Sequence, residues 1–327
     1  MLSLLQFALL AGLLLALALS GLMAALERPL RGLLSSKPPA QRATLLWWLL
    51  VTPALAGIGY TGLVLLSPLM LSQSSTIATA CAAHANSLLH LCVWHPLDAT
   101  QSALLWAALA ALSGLGLCLA LAALVRLWRA RRRLLALLRL GLRSGHSQNL
   151  CILDTPQPLA LASGVGQRPI LLSRSLLEHL QPRQLQVVLA HEQAHITNRD
   201  VFYRLIAAAL SQMLWPGTRR RLLRDLELAL EQRSDVAAAE AVGSSLVVAE
   251  TIVAVERLFQ RHSRTDTALS MAFLSDFATE RVTALLARPR RRSPYLGGFL
   301  VASVLTLCAL SVGWLHHATE ALISLLA

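Results

Sequence analysis

This sequence predicts a mainly α-helical membrane protein, with four membrane-spanning helices and one α+β domain on a single side of the bilayer. Three observations carry that fold class. Of 327 residues, 55% are hydrophobic and only 14% charged, and the mean hydropathy is +0.58. That is more apolar surface than one soluble domain of this size has to bury. Apolar stretches near the length that crosses a bilayer, about 20 residues, recur at 1–26, 44–70, 102–125 and 296–315. The basic residues gather at the ends of those stretches rather than along them.

The first stretch opens without a basic residue and is too long for the apolar core of a cleaved signal, so it reads as an anchor. A polar loop is expected over 27–43, where Arg28, Arg31, Lys37 and Arg42 stand against Glu27. Trp47 and Trp48 open the second stretch as interface anchors, with Pro53 as a candidate kink. The third stretch ends in Arg126, Arg129, Arg131, Arg132 and Arg133, and the fourth follows Arg288, Arg290, Arg291 and Arg292. The segment 71–101 has no lysine or arginine. Positive charge stays on the cytoplasmic side. On this rule 27–43 and 126–293 are expected inside, and 71–101 with both termini outside.

The net charge of +12 invites a nucleic-acid reading. The arginines flank apolar runs, however, and no basic patch interleaved with aromatics occurs, so direct nucleic-acid binding is not expected. The apolar runs also lack the buried charges of a transporter or channel. In the outside loop Cys81 and Cys92 are expected to pair as a disulfide, because that compartment is oxidising. Cys151 falls on the reducing side and reads as a packing residue.

The chemistry concentrates in the cytoplasmic segment, with domain limits of 145–293. Short apolar runs broken by Pro and Gly over 150–172 predict a small sheet or hairpin. Helices are expected over 175–180, from Pro182 onward, 201–215, Arg219–Glu240, 243–260 and 271–287. The helix opened by Pro182 carries His191-Glu192-Gln-Ala-His195. At that spacing the two histidines share a face one turn apart, within reach of one metal ion. Glu192 stands beside them, where it can take a proton from an attacking water. This HExxH pattern is that of zinc peptidases, and an α+β zinc-peptidase domain, gluzincin-like, with one zinc ion as cofactor is expected.

A third ligand is needed. Downstream acids are Asp200, Asp225, Glu227, Glu231, Asp235 and Glu240. Glu227, Glu231 and Asp235 lie four apart on one helical face, so spacing leaves Glu231 and Glu227 level. On the same face Asp235 is suited to hold a ligand histidine by its other ring nitrogen.

Three stretches together carry a family resemblance: Ala-Leu-Ala-Ser-Gly with Pro-Ile-Leu-Leu, then Leu-Ala-His-Glu-Gln-Ala-His-Ile-Thr-Asn-Arg-Asp, then Glu-Gln-Arg-Ser-Asp. The sequence resembles the BlaR/MecR-type integral-membrane zinc metallopeptidases, and their relatives in the HtpX and CAAX-prenyl-protease group. The resemblance implies that His191, His195 and Glu231 bind zinc, that Glu192 is the general base, and that Asp235 is the second acid of an ExxxD pattern. It makes Leu159, Ala160, Leu161, Ala162 and Ser163 an edge strand for an extended substrate. Tyr203 and Arg281 are candidate transition-state stabilisers, and Glu280-Arg281-Val282 is similar to a downstream arginine motif of the group. Ser234 departs from the pattern, which has Ala or Cys there.

The resemblance further implies a bacterial inner-membrane endopeptidase that cuts a cytoplasmic protein, with a DNA-binding repressor as the first expectation and self-cleavage as an accompaniment. The alternatives are an HtpX-like protease for membrane-protein quality control, or a zinc-binding signal transducer without activity. The chain stops after its last apolar run with no sensor domain, so any signal is expected through the outside loop, the spans or a partner.

Overall fold

The structure, a computed structural model, describes residues 2–71, 150–162, 170–262 and 268–287, together with Leu142–Arg143 and scattered helical positions between 107 and 136. Helices α1 (Leu2–Ser35) and α2 (Pro39–Leu71) form an antiparallel hairpin. Segments Ala8–Ser35 and Pro39–Leu66 are long and apolar enough to cross a membrane. The expected spans at 102–125 (scattered positions aside) and 296–315, and the loop with Cys81 and Cys92, lie outside the described residues.

The hairpin corrects the expected loop at 27–43. Helix α1 continues to Ser35 and α2 starts at Pro39, leaving a three-residue corner. The helix persists because its extension is amphipathic and finds partners. Leu34 is buried, and Glu27, only 3% exposed, is held by Arg221. Arg31 grips both oxygens of Asp225 at 2.5 and 3.0 Å. At 1.5 Å per residue, helices of 34 and 33 residues are each about 50 Å long, against about 30 Å for a hydrocarbon core. Helix α2 also runs through Pro53 unbroken.

Farther along, α1 and α2 cross at Gly12 and Gly57. A β-carbon on Gly12 would lie 2.6 Å from the Gly57 carbonyl oxygen and 2.1 Å from Thr61 Oγ1. Thr61 donates to the carbonyls of Ala8 (3.1 Å) and Gly57 (2.9 Å), tying the crossing together. Small residues permit this close approach of backbones in apolar surroundings.

The domain begins with a four-stranded sheet: β1 (Leu142–Arg143), β2 (Leu150–Leu153), β3 (Ala160–Ala162) and β4 (Ile170–Ser173), in the order β1-β2-β4-β3. Strands β2 and β4 are parallel, while β3 runs antiparallel to β4 with Leu161 opposite Leu171. Strand β3 (Ala160–Ala162) is therefore an edge strand of this sheet among the described residues, and it falls within the expected substrate stretch 159–163. Ser163 lies outside the described residues.

The helices follow as α3 (Arg174–His179), α4 (Pro182–Thr197), α5 (Asp200–Leu210), a 3-10 turn at Ser211–Met213, α6 (Pro216–Val242), α7 (Ser245–His262) and α8 (Ala268–Leu286). Prolines at first-turn positions open α4 and α6, where a missing N–H costs nothing. Ser173 caps α3 by accepting from the Leu176 N–H. Gly243, with φ of 75°, ends α6 in the left-handed conformation that suits glycine.

Three apolar clusters fix these pieces. Ile170 and Leu172 of the sheet pack on Leu176, Val188, Ile196 and Leu258. On the other side of α4, Val187 packs with Ala238, Val248 and Ile252. The third cluster joins hairpin to domain: Leu45, Leu46, Leu49 and Leu50 of α2 share a core with Ala207, Leu222, Leu226 and Leu230. Helix α6 thus lies between the hairpin and α4, which sets its inner face beside the two histidines.

Candidate metal centre

Helix α4 carries the histidines one turn apart, and α6 brings a carboxylate across from them. His191 Nε2 and His195 Nε2 lie 3.1 Å apart. Glu231 Oε2 is 3.3 Å from the first and Glu231 Oε1 is 3.5 Å from the second. Two nitrogens on one tetrahedral zinc ion, each about 2.0–2.1 Å from it, are separated by roughly 3.3 Å. The triangle has that size, and its ligand atoms all lie within 4.8 Å of one another. The donor set of two imidazoles and one carboxylate fits zinc and leaves a fourth position for water. Glu227, one turn away on α6, is exposed. The trio includes Glu231.

The other ring nitrogens explain why the imidazoles point inward. His191 Nδ1 is 2.9 Å from Asp235 Oδ1, and Arg281 donates to both oxygens of that carboxylate at 2.8 and 2.6 Å. His195 Nδ1 is 2.7 Å from Asp200 Oδ2, and Asp200 is bonded in turn by Arg233. Ser234 Oγ lies 3.2 Å from the same Nδ1. Each histidine is thus backed by a carboxylate that is backed by an arginine. A carboxylate at Nδ1 fixes the tautomer and leaves Nε2 free to bind metal. Asp200 and Asp235 are about 1% and 0% exposed. Buried carboxylates of this kind need the arginines beside them.

The charges follow from this wiring. Burial opposes protonation of His195, but the carboxylates of Asp200 and Glu231 outweigh it and raise the imidazole to about 9 in the metal-free protein. His191 is likewise raised, burial being overcome by Asp235 and Glu231. Burial pushes Glu231 up, yet bonds from both histidines hold it well below the usual carboxylate range. Asp235 is lowered, because Arg281 and His191 outweigh its burial. Glu192 behaves differently: burial raises it, and the nearby histidine charges only partly offset that.

Glu192 sits beside the trio on α4 and accepts the backbone N–H of Ala162. The outer side of β3 therefore faces the metal helix, which brings Leu159–Ala162 alongside the site. Leu161 on that strand is exposed. The two candidate stabilisers are placed apart. The Arg281 guanidinium is engaged by Asp235 and stands 3.5 Å from Glu231 Oε2. Tyr203 packs edge-on against Trp47 and Phe202, and lines a cavity to which no trio residue contributes.

By spacing Asp200 is only a rival ligand, and Arg233 has no evident role. The signal for Asp200 lies in the corner before it. Arg199 adopts φ of 54°, the left-handed conformation, and turns the chain sharply between α4 and α5. The sequence carries no glycine there to betray the turn.

A helix-borne pair of histidines, a carboxylate from a second helix and a half-buried glutamate beside an edge strand make up a candidate metal site in outline. Residues 129–273 match Peptidase family M48, a group of zinc-dependent metallopeptidases. The chain is similar to the "Protease HtpX homolog" of Aquifex aeolicus, 41% identical over 59 residues that cover 18% of this chain and 20% of the relative. It is 44% identical over 64 residues to the homolog of Pelotomaculum thermopropionicum, covering 19% and 23%. To that of Caldanaerobacter subterraneus it is 33% identical over 79 residues, covering 24% of each. The chain thus spans between 20 and 24% of the length of these curated relatives. No solved structure gives a significant match. The findings support a membrane metallopeptidase of the M48 kind; they lie on the HtpX side of the resemblance and do not single out the BlaR/MecR antirepressors.

Proposed function

We propose that the chain is a membrane-embedded zinc endopeptidase of the HtpX kind, cutting membrane proteins and their cytoplasmic segments in quality control. The observation that carries this reading is the trio of His191, His195 and Glu231 with Glu192 beside it and the edge of β3 alongside. A bound zinc ion supplies Lewis acidity and a water of lowered pKa. The chain's own groups do the rest. An extended peptide adds to β3 by main-chain hydrogen bonds, which accept many sequences. Glu192 takes the proton of the attacking water and returns it to the leaving amine. Burial raises its pKa above the usual carboxylate value, which favours its holding the proton between the two transfers. Asp235 and Asp200 hold His191 and His195 in place during turnover.

The test is terminal-peptide profiling of cells carrying the wild type or Glu192→Gln, at rest and with misfolding membrane proteins. Many Glu192-dependent fragments, rising under stress, are the expected result. One or two fragments from a single DNA-binding protein would replace the quality-control reading by repressor cleavage. No Glu192-dependent fragment at all would remove the enzyme reading.

A further inference from the structure

A separate cavity of about 490 Å³ opens where α2 leaves the hairpin corner and meets the turn between α4 and α5. Its walls include Thr44, Trp47, Trp48, Arg199, Tyr203 and Arg233, and none of the three metal-site residues. One side is aromatic: the Trp47 ring stands edge-on to Trp48 at 5.1 Å and to Tyr203 at 5.5 Å. Trp47 also donates to the Tyr203 carbonyl at 3.0 Å, which fixes that wall.

The other side is cationic. Arg199 is exposed and forms no ion pair among the described residues, so its charge is available at the cavity mouth. Among those residues it is also the one non-glycine with positive φ. That conformation is disfavoured for a residue that carries a Cβ. The same turn sets Arg199 on the cavity wall and Asp200 under His195. Arg233 adds a second guanidinium, and its Nε is buried without a hydrogen-bond partner.

The level of this cavity relative to a bilayer follows from α2. The helix outruns a hydrocarbon core by about thirteen residues, and Trp47 and Trp48 fall within that distance of its start at Pro39. Indole and phenol rings gather where headgroups begin. Guanidinium groups at the same level meet lipid phosphate, which they bind through paired N–H donors.

We propose that this cavity binds the headgroup of an anionic phospholipid, its phosphate held by Arg199 and Arg233 and its glycerol region bracketed by Trp47, Trp48 and Tyr203. The proposal rests on the membrane reading of α1 and α2, but not on peptidase activity. Because Arg233 also bonds Asp200, the headgroup would sit two side chains from His195.

The experiment uses the full chain in nanodiscs of phosphatidylcholine with increasing phosphatidylglycerol, followed by native mass spectrometry of the released protein. The wild type should retain one phosphatidylglycerol in preference to phosphatidylcholine by roughly tenfold. Arg199→Gln should bring the two near parity, Arg199→Lys should restore part of the preference, and Arg220→Gln, an exposed change elsewhere on α6, should leave it intact. Equal retention of both lipids, or an unchanged preference in Arg199→Gln, would overturn the proposal. Release of the retained lipid by millimolar inorganic phosphate would also overturn it, pointing to a soluble phosphate ligand. Zinc content of each variant is read in parallel, so loss of the metal site and loss of the lipid site are told apart.

Discussion

Arg281 holds both carboxylate oxygens of Asp235, a residue 46 positions away, and Asp235 holds Nδ1 of His191. The pair ties α8 to α6 and, through the imidazole, to α4. Partners that orient a ligand histidine typically contribute 10–100-fold to metal affinity. Arg281→Ala should therefore lower zinc affinity by about that factor, and Arg281→Lys should recover little, since a point charge cannot supply both bonds. Chelator titration of folded protein, with circular dichroism as a control, measures this.

Metal binding and catalysis should separate between neighbouring residues. Glu192→Gln is expected to keep near-stoichiometric zinc and lose cleavage, while Glu231→Ala loses metal and cleavage together. Glu227→Gln should lose neither, because Glu227 is exposed outside the trio. Elemental analysis beside a peptide-cleavage assay decides the assignment. Zinc loss in Glu227→Gln with zinc retained in Glu231→Ala would reverse it.

The metal-free protein should lose stability as pH rises. The His195 pKa is raised to about 9 in the fold, against about 6.5 unfolded. Its stabilising contribution is complete below the unfolded value and disappears as pH passes the folded one. Melting of chelated protein should fall by several degrees from pH 6.5 to 9.5. Zinc must displace the same protons, so its affinity should increase across that window. A melting temperature that rises with pH in the chelated protein would contradict the wiring of His195.

The helix crossing gives a fourth test. Gly12→Ala places a methyl group 2.6 Å from the Gly57 carbonyl oxygen, so the helices must separate. Overpacking of this kind costs about 1–3 kcal/mol. Gly21→Ala, with nothing within 4 Å of its added carbon, should be neutral. Thermal unfolding in detergent compares the two.

The parts legible in the sequence were those whose cause is local. His191, Glu192 and His195 share a helix, so their geometry follows from spacing alone. The short β3 strand announced itself through the Pro and Gly around it. The relays behind the histidines join residues far apart in the chain, and nothing near Arg281 says that Asp235 is its partner. Asp200 looked like one acid among six, because its position depends on a left-handed arginine that no motif marks. The corner misled for a related reason. Glu27 and Arg31 count as loop residues until Arg221 and Asp225, each 194 positions on, are seen to receive them.

The shared core of hairpin and domain has a practical consequence for anyone who would cut the two apart. Leu222, Leu226 and Leu230 share one core with Leu45, Leu46 and Leu49 of α2. A fragment beginning after the hairpin would carry a raw greasy seam down the helix that bears Glu231. Such strips drive aggregation. It would also lose the partners of Arg221, Asp225 and Gln232. The α1–α2 hairpin is thus a structural wall of the metal-site domain, and a soluble, well-behaved fragment without it is not to be expected.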